Sequence, residues 1–202
     1  NNFNYIPEKR RQVNDLLGKM KRQIKDNAVN HTATKHYINN YGYIPLWVLV
    51  KVLSFGIVSE LFSILKKEDQ YDIVELYDLD VNVFVNYLSS LSNYRNLCAH
   101  EDILYNNRTQ KSILDTKYHR LLNIPIMDNE YIYGKNDLFS VVIMMKSMIK
   151  KDEFDLFEKE ISDLIDELDN KLKSIEINKI LDCMGFPKNW KELKDIDKKE
   201  IF

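Results

Sequence analysis

The stretch Asn93-Tyr94-Arg95-Asn96-Leu97-Cys98-Ala99-His100-Glu101 brings an arginine, an amide and a histidine close together at the end of a run with apolar periodicity. Arginine stays cationic and offers phosphate oxygens a forked set of donors, while histidine gains or loses a proton near neutral pH. These groups suit chemistry on phosphates. The cation stabilises negative charge, and the imidazole takes a proton from a hydroxyl or returns one to a leaving oxygen.

The spacing sets a condition on that chemistry. Five residues of an ideal helix rotate a side chain by about 140°, so Arg95 and His100 do not share one face of a straight helix. They meet only if the helix ends or distorts near Ala99, or if a second copy of the chain completes the site. The plainer alternative is an exposed arginine and a histidine at a helix C-terminus, where the macrodipole favours cations. Cys98, between Leu97 and Ala99, reads as a small packing residue and not as a nucleophile.

The elements that must hold this stretch are helical. The chain has five glycines and four prolines in 202 residues, is rich in Leu, Ile, Lys and Glu, and repeats no strand-turn-strand pattern, which predicts an all-α fold. Asp80 is a good N-cap for a helix in which Val81, Phe84, Val85, Leu88 and Leu91 form an apolar stripe leading to Arg95. On that line the guanidinium is expected to emerge from the packed face and to need a partner. Upstream, helices are predicted over residues 7–26 and 71–77, with a shorter segment over 35–42 closed by Gly42. Residues 44–62 are the most apolar part of the chain. Lys51 and Glu60 interrupt them, so one central buried helix is predicted there in place of a membrane span, with Gly56 at a close helix crossing.

Downstream, residues 109–133 read as a loop with one short helix around 115–122. Helices follow over 137–149, 152–173 and 176–184, the second with Phe154, Phe157, Ile161, Leu164, Ile165, Leu168 and Leu172 toward the core. Gly185 ends the last helix, and residues 185–190 fold back as an apolar tail. One domain over 1–202 accounts for the whole pattern.

The formal net charge is −2, so no overall basic excess advertises nucleic acid. Locally, however, Arg108, Lys111, Lys117, His119 and Arg120 stand against Asp115 alone, and such a patch attracts a polyanion. Residues 152–169 are strongly acidic, with Lys159 their one cation, and read as a solvated face or a surface for a basic patch of another subunit. Tyr105, Tyr118, Tyr131 and Tyr133 either stack on bases or anchor the loop. Cys98 and Cys183 are the only cysteines, so no disulfide framework, zinc site or cofactor is indicated, and a reducing, cytoplasmic setting is expected.

Three strings, residues 41–56 (Tyr-Gly-Tyr-Ile-Pro-Leu-Trp-Val-Leu-Val, then Leu-Ser-Phe-Gly), 94–100 and 185–190, stand in the order and rough spacing of the Abi-like (abortive infection, AbiD/AbiF type) bacterial proteins. The resemblance runs from about Phe3 to Trp190. That family resembles the HEPN superfamily of helical domains, marked by Arg-polar-x-x-x-His, and Arg95, Asn96 and His100 fill those places. The resemblance implies a HEPN-like helical bundle with additional C-terminal helices. Family members usually carry a further N-terminal helical region, so this chain is expected to be a piece of something longer.

The resemblance also implies a metal-independent endoribonuclease acting as a homodimer, with two motifs facing across a two-fold axis. His100 would move the proton of a ribose 2′-hydroxyl or of the leaving 5′-oxygen, Arg95 would stabilise the phosphorane, and Asn96 would orient His100 or the phosphate. The ends left would be a 2′,3′-cyclic phosphate and a 5′-hydroxyl. Arg108, Lys111, Lys117, His119, Arg120 and Tyr105 would contact the RNA. Such an enzyme would serve phage defence or a toxin-antitoxin pair. The alternative is a module that grips a structured small noncoding RNA without turnover, and a third reading is a protein-protein antitoxin or scaffold. His31 and His36 read as structural.

Overall fold

The computed structural model describes residues 7–197, so the start of the resemblance at Phe3 lies outside the described residues. The chain is all-α apart from one very short hairpin, and it forms two compact units, Asn1–Val74 and Glu75–Phe202.

In the first unit a 3-10 turn (Pro7–Lys9) leads into α1 (Arg10–Asn27), followed by α2 (Thr32–Tyr41), the single turn α3 (Leu46–Leu49), α4 (Phe55–Ile64) and α5 (Lys67–Glu75), which ends at the boundary. Val13, Leu16 and Met20 repeat at helical spacing on α1 and pack on Ile57 and Ile64 of α4. Lys19 pins the same pair, its Nζ lying 3.0 Å from Asp15 of its own helix and 2.8 Å from Glu60 of α4. His31 caps α2 by accepting from the Thr34 N–H, and Gly42 ends that helix in the left-handed region at φ +70°, where a residue without Cβ is unstrained.

The single buried helix expected over 44–62 is not what forms. Pro45 starts α3, the chain turns through Val50–Leu53 after one turn, and Ser54 begins a new helix by accepting from the Ile57 N–H. A hydroxyl that satisfies an orphan N–H makes a restart competitive with continuation. Gly56 accordingly lies in the first turn of α4, not at mid-helix, and Leu46, Trp47, Val50 and Phe55 are exposed.

The second unit comprises α6 (Val81–Ala99), α7 (Lys117–Leu121), the strands β1 (Ile126–Met127) and β2 (Glu130–Tyr131), α8 (Leu138–Met148), α9 (Lys151–Lys171), α10 (Ile177–Met184) and a 3-10 turn (Trp190–Asp195). Its core is built round α8, whose Phe139, Val142, Ile143 and Met144 are fully enclosed. The tail expected to fold back does so: Phe186 packs 5.1 Å from Phe139, and Trp190 meets Phe186 edge-on at 5.2 Å. On α9 the buried positions are Phe154, Glu158 and Ile165, whereas Leu164 and Leu168, both expected inside, are exposed. The strands pair Ile126 with Tyr131 and Met127 with Glu130 across Asp128-Asn129, both at positive φ. That two-residue loop is the mirror-image turn favoured by hairpins, a signal hidden by the shortness of the strands. Among the described residues, no helix is long and apolar enough to cross a membrane.

Candidate functional site

α6 delivers the motif. Asp80 precedes its first turn in extended conformation, and the buried face runs through Phe84, Tyr87, Leu88 and Tyr94. Tyr94 is the anchor of the last turns: its hydroxyl lies 2.6 Å from the carbonyl oxygen of Asp137 and 2.9 Å from that of Asn136. Burial pushes the Tyr94 phenol above its usual pKa, so it stays a donor. Asp137 caps α8 in turn, its carboxylate accepting from the N–H groups of Ser140 and Gly134. The end of α6 is thereby fixed to the start of α8.

The helix stops at Ala99, as one of the two geometric conditions requires. His100 takes the cap position, Glu101 turns into the left-handed region at φ +57°, and the Glu101 and Asp102 N–H groups return to the carbonyls of Cys98 and Leu97. This is a Schellman closure with a glutamate where glycine is usual. His100, whose N–H still bonds the Asn96 carbonyl, is the last residue on the helical path and is exposed to solvent.

The segment after the closure comes back alongside. Thr109 donates its N–H to the Asn136 carbonyl at 2.8 Å, and Ile113 donates to Lys135 at 2.7 Å. Asn86 of α6 bonds both ways, to the Ser112 carbonyl and from the Leu114 N–H. These ties set Arg108 opposite the motif. Asn96, His100 and Arg108 line one cleft of about 330 Å³, joined by Asn93, Asp102 and Gln110. Asp102 and Gln110 are not singled out by the sequence, and Asn93 enters there only as the first residue of the quoted stretch.

Arg95 departs from expectation. It is exposed, does not line that cleft, and donates from Nη1 to Asn96 Oδ1 at 3.3 Å. Leu88 is covered but the helix end one heptad further on is not, because the packed side there is carried by Tyr94 and Leu97. Cys98 is likewise exposed, not packed.

Of the proposed RNA contacts, Arg108, Lys111, Arg120 and the half-open Tyr105 present themselves to solvent. Lys117 is half-buried, donating to the Asp197 carbonyl and lying over the Tyr118 ring. His119 must be removed from the set, because it is fully buried. Its Nδ1 accepts from the Thr116 N–H at 3.1 Å and its Nε2 donates to the Gly134 carbonyl at 2.9 Å, with Tyr131 stacked on the ring. Tyr118 is buried too, and Tyr133 donates to Asp182, so these tyrosines and Tyr131 anchor the loop. Among the described residues, no group of three or more His, Cys, Asp or Glu side chains is arranged to hold a metal.

The model of the Abi-like protein family matches residues 1–106, a span that contains Arg95, Asn96 and His100. The chain belongs to the Abi-like family. That match takes in α1 to α6 and stops short of the Gly185–Trp190 tail. No curated protein and no solved structure matches the chain. Membership of the Abi-like family points to abortive infection, a form of phage defence.

Proposed function

We propose that this Abi-like protein is a HEPN-type, metal-independent endoribonuclease that cleaves RNA at the cleft holding His100. The observation that carries the reading is that Asn96 and His100, two members of the Arg-polar-x-x-x-His set, line one solvent-open cleft with Arg108. His100 takes the proton of a ribose 2′-hydroxyl as that oxygen attacks phosphorus, or donates the proton that the departing 5′-oxygen needs. The ends are a 2′,3′-cyclic phosphate and a 5′-hydroxyl. Positioned acid-base help of this kind is worth ~10²–10⁴ in rate. Arg108 meets the phosphate from within the same chain, Arg95 orients Asn96, and Lys111, Arg120 and Tyr105 hold flanking RNA. A homodimer would bring a second Arg95 and a second His100 to one phosphate. The effector would act in phage defence or as the toxin of a toxin-antitoxin pair.

The test is incubation of RNA with the protein in EDTA, with mapping of the ends. Cleavage that leaves cyclic phosphates and disappears in His100→Ala is the expected result, and cleavage that survives in His100→Ala overturns the reading.

A second reading is favoured by the position of Arg95, whose guanidinium bonds Asn96 and does not line the cleft of His100. On that reading the same residues hold a structured small noncoding RNA without turnover. RNA co-purifying equally with the original protein and with His100→Ala, and no cleavage by either, would select it.

A further inference from the structure

The two units differ in charge. Residues 1–74 carry 11 lysines and arginines against 7 carboxylates, and the remaining residues carry 18 against 24. Within the first unit, no acidic residue occurs between Asp26 and Glu60, a stretch that includes Lys35, His36 and Lys51. The same stretch displays aromatic rings. Tyr41 is 58 %, Tyr43 60 % and Trp47 56 % exposed.

These rings are held in place by one another. Tyr37 is half-buried, meets Trp47 edge-on at 5.6 Å and lies tilted against Tyr41 at 5.5 Å. Tyr43 continues the row at 6.2 Å from Tyr41. His36 closes on Tyr41 at 5.8 Å and is itself fixed by Asn40. Lys51 sets its ammonium 5.6 Å from the centre of the Trp47 ring. The break after Leu49 produces this display, since the one-turn α3 is long enough to present Leu46, Trp47 and Val50 but too short to bury them.

We infer that Tyr41, Tyr43 and Trp47 form a platform on the first unit that stacks unpaired bases of single-stranded nucleic acid, with Lys35 and Lys51 beside the backbone. Pre-arranged open rings flanked by cations are what such binding uses, because every base has a π-face and every nucleotide a phosphate. Charge favours a polyanion over a protein partner, because between Asp26 and Glu60 the chain sets Lys35 and Lys51 against no acidic residue. The platform is separate from the cleavage proposal and does not depend on it.

The test uses the His100→Ala protein, so that cleavage neither assists nor obscures binding. Trp190 is buried, so Trp47 is the tryptophan whose fluorescence a ligand can reach. Ten-nucleotide oligoadenylate, oligouridylate and their deoxy counterparts are titrated, with an abasic oligomer of equal length and a blunt duplex as controls. The expected result is quenching of Trp47 by the single strands and not by the abasic oligomer or the duplex. Labelled single strands should bind about tenfold more weakly to Tyr43→Ala and to Trp47→Ala, with Trp47→Phe restoring most of the loss. Tyr41→Ala and Tyr43→Ala carry the test should circular dichroism show Trp47→Ala unfolded. Equal affinity for the abasic oligomer, or unchanged affinity in the ring variants, overturns the inference. So does a concentration-dependent oligomer, seen by sedimentation, that the ring variants abolish without change in oligomer binding, because the face is then a protein interface.

Discussion

The Tyr94 hydroxyl sits 2.6 Å from the backbone carbonyl oxygen of Asp137, and this bond ties the helix that ends in the motif to the first turn of α8. The next residue is Arg95, so the orientation of the motif depends on the anchor immediately before it. Tyr94→Phe keeps the ring in the core and removes the donor. Ser140 Oγ still donates to the Asp137 carbonyl at 2.6 Å, so what is lost is a single buried hydrogen bond, worth about 1 kcal/mol. Urea unfolding should show that loss, and, on the proposed function, RNA cleavage should fall through displacement of the last turn of α6. Unchanged stability and unchanged cleavage together would remove Tyr94 as the anchor.

Glu101 occupies the position in the closure of α6 where the backbone is left-handed, at φ +57°. A side chain there costs about 1 kcal/mol relative to glycine, partly offset by the extra freedom glycine has in the unfolded chain. Glu101→Gly should therefore leave stability unchanged or raise it by a few tenths of a kcal/mol, and Glu101→Val should lower it by more than 1 kcal/mol. The urea midpoints of the two variants check this. Equal stability of both would show that Glu101 is not held left-handed in solution.

Much of this architecture is legible in the residues because its punctuation is local. Asp80 and Asp137 precede helices and Gly42 and Gly185 end them; Asp137 caps through its carboxylate, whereas Asp80 holds the cap position in extended conformation without a side-chain bond. Most features that were not legible depend on distant partners, although the Ser54 restart, made by a bond to Ile57, is local and was masked by composition. Ser54 restarts a helix inside an apolar run whose composition argues for continuity. Leu88 and Arg95 lie a heptad apart on one line, yet neighbours cover only the first. His119 reads as part of a basic loop, and only the fold reveals that Thr116 and Gly134 satisfy both its nitrogens. Of the motif, the helix end at Ala99 could be anticipated. The return of residues 107–110 that sets Arg108 beside His100 could not, since it is fixed by bonds to Asn136 and Lys135.

Gly185 ends α10 at φ +79°, and a Cβ there would come within 2.1–2.6 Å of the side chain of Asp137. The carboxylate in that space is the cap of α8, bonded to Gly134 and Ser140, so it has little room to yield. Gly185→Ala combines a strained conformation with a clash and should cost about 2–4 kcal/mol, the scale of overpacking and backbone strain together. The loss should appear as a lower thermal midpoint. A midpoint within a degree of the original would mean that the tail, with Phe186 and Trp190, is not docked as described.

Acid should weaken the protein through His119. Burial lowers its pKa from the usual 6.5, because the neutral ring already fills its site: Nδ1 accepts from the Thr116 N–H, and a proton there would face another donor. The unfolded chain binds that proton near pH 6.5 and the folded one only at lower pH. Below 6.5 the unfolded state therefore holds more protons, and stability is lost as pH falls. Asp137 opposes this trend, since burial pushes its carboxyl up to about 6, so the folded state gains stability as pH drops through 6 toward 3.8. The net curve of the original protein thus mixes two slopes of opposite sign, and the difference between it and His119→Gln isolates the histidine. Urea unfolding from pH 8 to pH 5 should find His119→Gln less stable at pH 8, where it loses the fitted ring, with the gap narrowing steadily below pH 6.5. A gap that stays constant or widens toward pH 5 would show that His119 does not titrate against burial and that the site between Thr116 and Gly134 is more open than its bonds indicate.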